Sequence, residues 1–261
     1  MTYYAIPDNR IDPNEPFTSK LAYQMRDNML AIAQQSPGAP SLPLLNREVY
    51  AAAGIPAASP WIVPPNVYLF RVTLIGGGGG GGCSYNDGMG VFYPGAGGGS
   101  GGYLVAIISA TPGDGYDLVI GAGGSAGTAG PGTSDGGNGG DTSITIGTYY
   151  LTAFGGVGGQ GNVITTAHGG SGGSSVSVPG GDMILLGDAL EMRGAPGGHA
   201  VAPEVGGNGG SSAISGGGRG GKETAGASSL IAGGGGGGAG TGGVVSLNGG
   251  EGAPGLILIE Y

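Results

Sequence analysis

Gly155-Gly156-Val157-Gly158-Gly159 is one copy of a Gly-Gly-X-Gly-Gly pattern that recurs at 98–102, 136–140, 169–173, 206–210 and 217–221, with Ser100, Asn138, Ser171, Asn208 and Arg219 at X. A period of three is written into each copy. Polyproline II has three residues per turn and no internal hydrogen bonds. On such a helix, glycine at i, i+1, i+3 and i+4 leaves two faces as bare backbone and keeps one face for a side chain. Bare faces let neighbouring helices approach until N–H and C=O groups bond across them. Ordering glycine costs roughly 0.5–1 kcal/mol per residue relative to alanine, so several helices must pack together to offset it. The pattern predicts a glycine core of packed polyglycine-II helices.

The alternative is a flexible linker, which a chain with 68 Gly and 17 Pro in 261 residues invites. Against it, 39% of residues are hydrophobic and only 10% charged, and the apolar residues fall in runs such as Val67 to Ile75, Tyr103 to Ile108 and Leu256 to Ile259. Candidate strands are 67–75, 102–109, 116–120, 141–146 and 149–154, with turn signals at Pro112-Gly113-Asp114-Gly115 and around Gly147. The fold class expected is mainly β with packed polyglycine-II helices, a short N-terminal α-helix and little other helix. Residues 1–58 form an N-terminal attachment segment with a helix at about 18–35, capped by Thr18, and a Pro/Ala-rich linker. Leu21, Met25, Met29 and Ile32 recur on one face of that helix and are its attachment candidates; packing of the helix on its own domain is the other reading. Residues 59–261 form a glycine-rich tip domain, β-rich over 61–154 with a returning strand at 255–261, and polyglycine-II-rich over 155–252.

A net charge of −9 with eight Lys and Arg leaves no basic stripe for nucleic acid or anionic membrane. The N-terminus, Met1 to Asp8, has no basic or apolar region of a signal peptide, and no apolar run is long enough to insert in a bilayer, so assembly in a cytoplasm is expected. Cys83 is the single cysteine, which excludes an internal disulfide and a multi-thiolate metal site. Gly216 to Lys222 fits G-x-x-x-x-G-K, but Glu223 stands where a Mg²⁺-ligating hydroxyl belongs. His168 and His199 have no closely spaced third ligand, Gly170-Ser171-Gly172 lies in a glycine repeat, and Asp182, Asp188 and Glu191 read as surface acidity. Neither catalysis, a cofactor nor a metal is expected.

Non-glycine inserts remain between the glycine runs, notably 84–93, 125–135, 160–168, 183–193, 199–205 and 222–229. Loops on a rigid frame are a common place for recognition, and aromatic and Met side chains bind protein partners strongly. Tyr85, Asn86, Phe92, Tyr93, His168, Met183, Leu186, Met192 and His199 are the binding candidates. Packing on the glycine core or sheet is the other reading of these apolar residues.

Two stretches resemble phage tail proteins. Ile11-Asp12-Pro13-Asn14-Glu15-Pro16, followed by Thr18-Ser19, Arg26-Asp27-Asn28, Ala31-Ile32-Ala33 and Gly38-Ala39-Pro40, resembles the N-terminal segment of tail-fibre and tail-tip proteins. Trp61-Ile62-Val63-Pro64-Pro65, Val72-Thr73-Leu74-Ile75 running into Gly76 to Gly82, and the ending Ala253-Pro254-Gly255 to Tyr261 resemble the glycine-rich terminal domain of phage tail fibres. The alternation of glycine motifs with loops is similar to the receptor-recognising adhesins at the long-fibre tips of T-even-type phages. That resemblance implies a polyglycine-II sandwich whose loops bind a bacterial outer-membrane protein or surface glycan, in a virion protein joined to other tail-fibre or baseplate subunits as a homotrimer or a single cap. The β-rich block at 61–154 departs from the adhesin pattern and makes the glycine helices an elaboration of a β-domain. The rival expectations are a purely structural tail component and an ice-binding protein; the varied X residues Asn, Val, Ser and Arg argue against the latter.

Overall fold

The computed structural model describes residues 19–33, 46–51, 60–89, 91–130, 134–161, 166–178, 184–185, 187–200, 204–230, 232–241 and 245–261. The Thr18 cap, most of the linker, Met183 and Leu186 lie outside them. One helix, α1 (Ser19–Ala33), precedes the strands β1 (Arg47–Tyr50), β2 (Trp61–Ile62), β3 (Leu69–Ile75), β4 (Tyr85–Asn86), β5 (Phe92–Tyr93), β6 (Tyr103–Ser109), β7 (Gly115–Val119), β8 (Thr142–Ile146), β9 (Tyr149–Ala153), β10 (Ser175–Val178), β11 (Ile184–Leu185), β12 (Leu190–Met192) and β13 (Leu256–Glu260). The protein is mainly β, in three antiparallel sheets. One has the order β1-β13-β3-β6, with β11 and β12 both paired to β6; the second is β10-β9-β8-β7-β2; β4 and β5 form a hairpin.

The two large sheets share one core because their strands alternate. Phe70, Val72 and Leu74 of β3 point inward beside Leu104, Ala106 and Ile108 of β6 and Ile257 and Ile259 of β13. Tyr116, Leu118, Ile144, Leu151 and Ala153 of the second sheet complete the cluster with Trp61. Such alternation is what a sheet with one buried face requires. The Trp61 and Phe70 rings meet edge-on at 4.8 Å, and Phe70 meets Tyr116 at 5.3 Å. The C-terminal strand does return to pair with β3, and Arg71 and Glu260, directly opposite each other, form an ion pair.

Most strands do not end in ordinary loops. β3 runs straight into 76–84, and the antiparallel ladder that ends at Ile75↔Tyr103 continues as Gly76 N–H to Gly102 O at 3.0 Å. Beyond that point the bonding period changes from two to three. Gly76, Gly79 and Gly82 donate to Gly102, Gly99 and Ala96; Gly77, Gly80 and Cys83 donate to Gly140, Gly137 and Ser134; Gly78, Gly81 and Ser84 donate to Ala253, Gly250 and Leu247. The carbonyls of the same run accept from 156 and 159, from 124 and 127, and from 236 and 239. One extended chain thus bonds to six neighbours, in three directions as donor and three as acceptor.

Among the described residues, twelve such runs can be followed: run 1 (76–84), run 2 (95–102), run 3 (121–127), run 4 (134–140), run 5 (154–161), run 6 (167–173), run 7 (194–200), run 8 (205–210), run 9 (216–221), run 10 (225–229), run 11 (233–241) and run 12 (247–255). Runs 1, 2 and 11 bond to one another and each has six neighbours; every residue in them is buried. The other nine form a closed ring around this triangle, bonded in the order 3-4-5-6-7-8-9-10-12 and back to 3. Three hexagonally packed rods have nine outer neighbours, so the lattice shell is complete.

The residues at X behave as the three-fold pattern requires. Asn138, Val157, Ser171, Asn208 and Arg219, all on ring runs, are exposed. Ser100, on central run 2, is fully buried, and its hydroxyl donates to Ser211 O at 2.9 Å and Ala195 O at 3.3 Å.

One expected boundary moves. The division into a β-rich 61–154 and a glycine-helix-rich 155–252 does not hold, because runs 1 to 4 lie in the first block and β10 to β12 in the second. Runs 1 to 7 and run 12 each continue a strand past its side chains, whereas runs 8 to 11 adjoin no strand among the described residues. Within the 1–58 segment expected to serve attachment, β1 is part of the sandwich and pairs with β13 from Arg47↔Glu260 to Tyr50↔Ile257. In α1, Met25 and Met29 are exposed, as are Tyr23 and Leu30; Leu21 and Ile32 lie in the same helix.

Candidate functional site

The runs alternate in direction, odd-numbered ones leaving the sandwich and even-numbered ones returning, as the descending partner numbers across each central run require. All connections from an odd run to the next even run therefore gather at the end remote from the sandwich. Described parts of this tip are 85–89 and 91–94, 128–130, residue 166, residue 204, 222–224 and 245–246. The sandwich is separated from the tip by the length of run 1, about 25 Å for nine residues of three-fold extended chain.

The hairpin β4–β5 is the largest tip feature. It turns at Gly88, with φ of 75°, after Asn86-Asp87, where the Asn86 Oδ1 accepts from Gly88 N at 2.9 Å and the Asp87 Oδ1 from Met89 N at 2.7 Å and Val91 N at 3.1 Å. Asx side chains holding the backbone and a left-handed glycine are the usual chemistry of a tight turn. Tyr85 and Tyr93 sit opposite each other with rings 5.7 Å apart. The backbone N–H of Asn86 donates to Ser246 Oγ at 3.3 Å, tying the hairpin to the connection between runs 11 and 12. Met89 is 86% exposed and Val91 41%.

His168 and His199 meet edge to face with centroids 5.2 Å apart. Gly169 N–H donates to His199 Nδ1 at 3.2 Å, which makes that nitrogen an acceptor and puts the imidazole proton on Nε2. His168 N–H is held by Gln160 Oε1 at 3.0 Å. Ala96, Ala167 and Ala200 form a small buried cluster linking the foot of the hairpin to the two histidine segments. Tyr85, Asn86, Phe92, Tyr93, His168 and His199 are thus brought to one end of the molecule.

Met192 is not with them. It pairs with Tyr103 in β12–β6, on the sandwich, where it is exposed. The described strands of the 183–193 insert, 184–185 and Leu190–Met192, belong to the sheet edge because both pair with β6. Sequence reasoning did not single out Met89 and Val91, although Asn86-Asp87-Gly88 is a hairpin-turn signal that puts them at a loop apex. Nor did it single out Val205, exposed at the tip end of run 8, or Val245, exposed in the connection between runs 11 and 12.

Among the described residues, no group of three or more His, Cys, Asp or Glu is placed to hold a metal ion. Cys83 is buried beneath the tip, and burial pushes its thiol pKa up, which disfavours the nucleophilic thiolate. The arrangement suits contact with a partner: apolar and aromatic side chains on short loops, each anchored on a run bonded to several others. A family described as a glycine-rich domain has a model that matches residues 55–261. No curated protein matches the chain.

Proposed function

The chain belongs to the glycine-rich domain family, and from that premise we propose that it is a phage tail-fibre tip or adhesin that binds a bacterial surface receptor through its tip loops. The observation that carries the reading is the hairpin: Met89 and Val91 stand exposed at the apex, with Tyr85, Phe92 and Tyr93 half-buried behind them. An exposed apolar cluster on a frame this heavily bonded has little entropy left to lose on binding. The receptor is an outer-membrane protein or surface glycan, and the activity is binding without catalysis. Exposed Met25 and Met29 on α1 supply the attachment face toward other tail-fibre or baseplate subunits, in a virion assembled in the host cytoplasm.

The test replaces 85–93 with a Gly/Ser loop of equal length and measures adsorption of the purified chain to a panel of bacterial envelopes. Loss of adsorption at an unchanged melting temperature is expected. Undiminished adsorption would remove the hairpin as a contact, and a wild-type chain that adsorbs to no envelope would leave the purely structural spacer.

A further inference from the structure

Arg219 and Lys222, together with Thr224, Ala225, Ala227 and two glycines, line a pocket of about 300 Å³ where runs 9 and 10 meet near the tip. We propose that this pocket binds the anionic group, carboxylate or phosphate, of an acidic saccharide; the inference rests on the adhesin reading and names one ligand class for it.

Charge placement is the first argument. The chain is strongly acidic, and between residues 76 and 253 it has three basic residues, Arg193, Arg219 and Lys222. Arg193 follows β12 at the sandwich end, so the tip half of the bundle keeps its two cations in this pocket. Neither Arg219 nor Lys222 is in an ion pair among the described residues. No carboxylate lines the pocket. Glu223 follows Lys222 in the chain and is joined to Glu204 by Glu223 N–H to Glu204 O at 3.1 Å, and neither residue is in the lining.

Local structure is the second argument. Arg219 is the X residue of its Gly-Gly-X-Gly-Gly copy, so the three-fold turn directs it outward from a backbone bonded on its other faces, with Ala227 N–H to Arg219 O at 2.9 Å. Lys222 is pinned by its bridge to Val205. A guanidinium fork takes two oxygens of a carboxylate or phosphate at once, and an ammonium adds a point charge beside it. Ala225, Ala227 and glycine carry little or no side chain, which leaves room for a sugar ring, and the Thr224 hydroxyl is able to hydrogen-bond it. The volume is at the lower end of small-ligand sites and matches one or two rings.

The test is calorimetric titration of the full chain with three probes: a galacturonic-acid tetrasaccharide, a phosphorylated oligomannose and neutral maltotetraose. Binding of at least one acidic probe and not of maltotetraose is expected, with Arg219→Ala and Lys222→Ala each weakening it about tenfold at wild-type melting temperature. Which acidic probe binds distinguishes a carboxylate from a phosphate ligand. The inference is overturned if neither acidic probe binds, if maltotetraose binds equally, or if the double variant binds as well as wild type. Envelope adsorption separates the two readings. A double variant that has lost probe binding but adsorbs normally would detach this pocket from host recognition and overturn its receptor role, with the adhesin reading intact. A wild-type chain that adsorbs nowhere removes the adhesin reading and with it the role assigned to the pocket.

Discussion

A hydrogen in place of a methyl at Gly78 lets two backbones touch: a β-carbon there would lie closer than 3.0 Å to Gly234 O, a contact no real β-carbon makes. Among the described glycines, positive φ is confined to Gly88, Gly113, Gly147, Gly187 and Gly233. The remaining glycines of the runs are therefore selected for the missing side chain and not for left-handed backbone. Gly156 and Gly209 face the carbonyls of Gly99 and Gly235 in the same way. Gly156→Ala and Gly209→Ala should each destabilise the fold by about 1–3 kcal/mol or more, the cost of overpacking a close-packed interior. Gly216 has nothing within 4 Å of an added β-carbon, so Gly216→Ala is the control that melts as wild type. Equal melting of all three variants would mean that the runs do not pack as described.

A run and a strand are both extended chain, and what distinguishes them is where the hydrogen bonds point. In β3 they alternate between β13 and β6; in run 1 they rotate through six neighbours. Removing one residue from a ring run turns every later donor by a third of a turn, whereas removing three shortens the run by one turn and restores the directions. Deletion of Val157 alone should therefore lower the melting temperature more than deletion of 157–159, despite the smaller change in length. At the sandwich, β1 is held to the C-terminus by Glu48, which accepts hydrogen bonds from Tyr50 at 2.5 Å and Tyr261 at 2.7 Å. Burial pushes the Glu48 carboxyl up, but the tyrosine hydroxyls outweigh it and hold the carboxyl below its ordinary 4.5. Burial and the same carboxylate push Tyr261 up to about 12. A depressed carboxyl stabilises the fold above its ordinary value and loses that contribution as pH falls through the folded value. Glu48→Gln should thus melt below wild type at pH 7, with the gap closing below about pH 4. A gap of constant size across that range would refute the clamp.

At the scale of the whole molecule, the sandwich and the bundle should unfold as one cooperative body, because eight of the runs continue strands with no linker between them. The bundle is held mainly by backbone hydrogen bonds, and among the described residues its apolar cluster is the small one of Ala96, Ala167 and Ala200, so it depends on the sandwich to align its chains. Truncating the C-terminal strand from Leu256 onward should unfold the tip as well as the sheet. The expected outcome is loss of amide protection in run 1 by hydrogen exchange, and retained protection there would show an independent bundle. The hairpin and the Arg219 pocket then stand on a frame whose rigidity comes from bonding in six directions.

The sequence by itself determined the local rules. Alternation in 69–75, 103–109 and 256–260 specified half-buried strands, and Gly-Gly-X-Gly-Gly specified a three-residue period with one outward face. Both follow from which atoms a residue lacks or carries, and both are readable one segment at a time. The order of the ring, the choice of runs 1, 2 and 11 as its centre, and the separation of Met192 from Tyr85 were decided only by the tertiary structure. Glycine runs present nearly the same bare backbone to every neighbour. Side chains cannot specify their pairing, and the strands of the sandwich, with the lengths of the connections, assign each run its place.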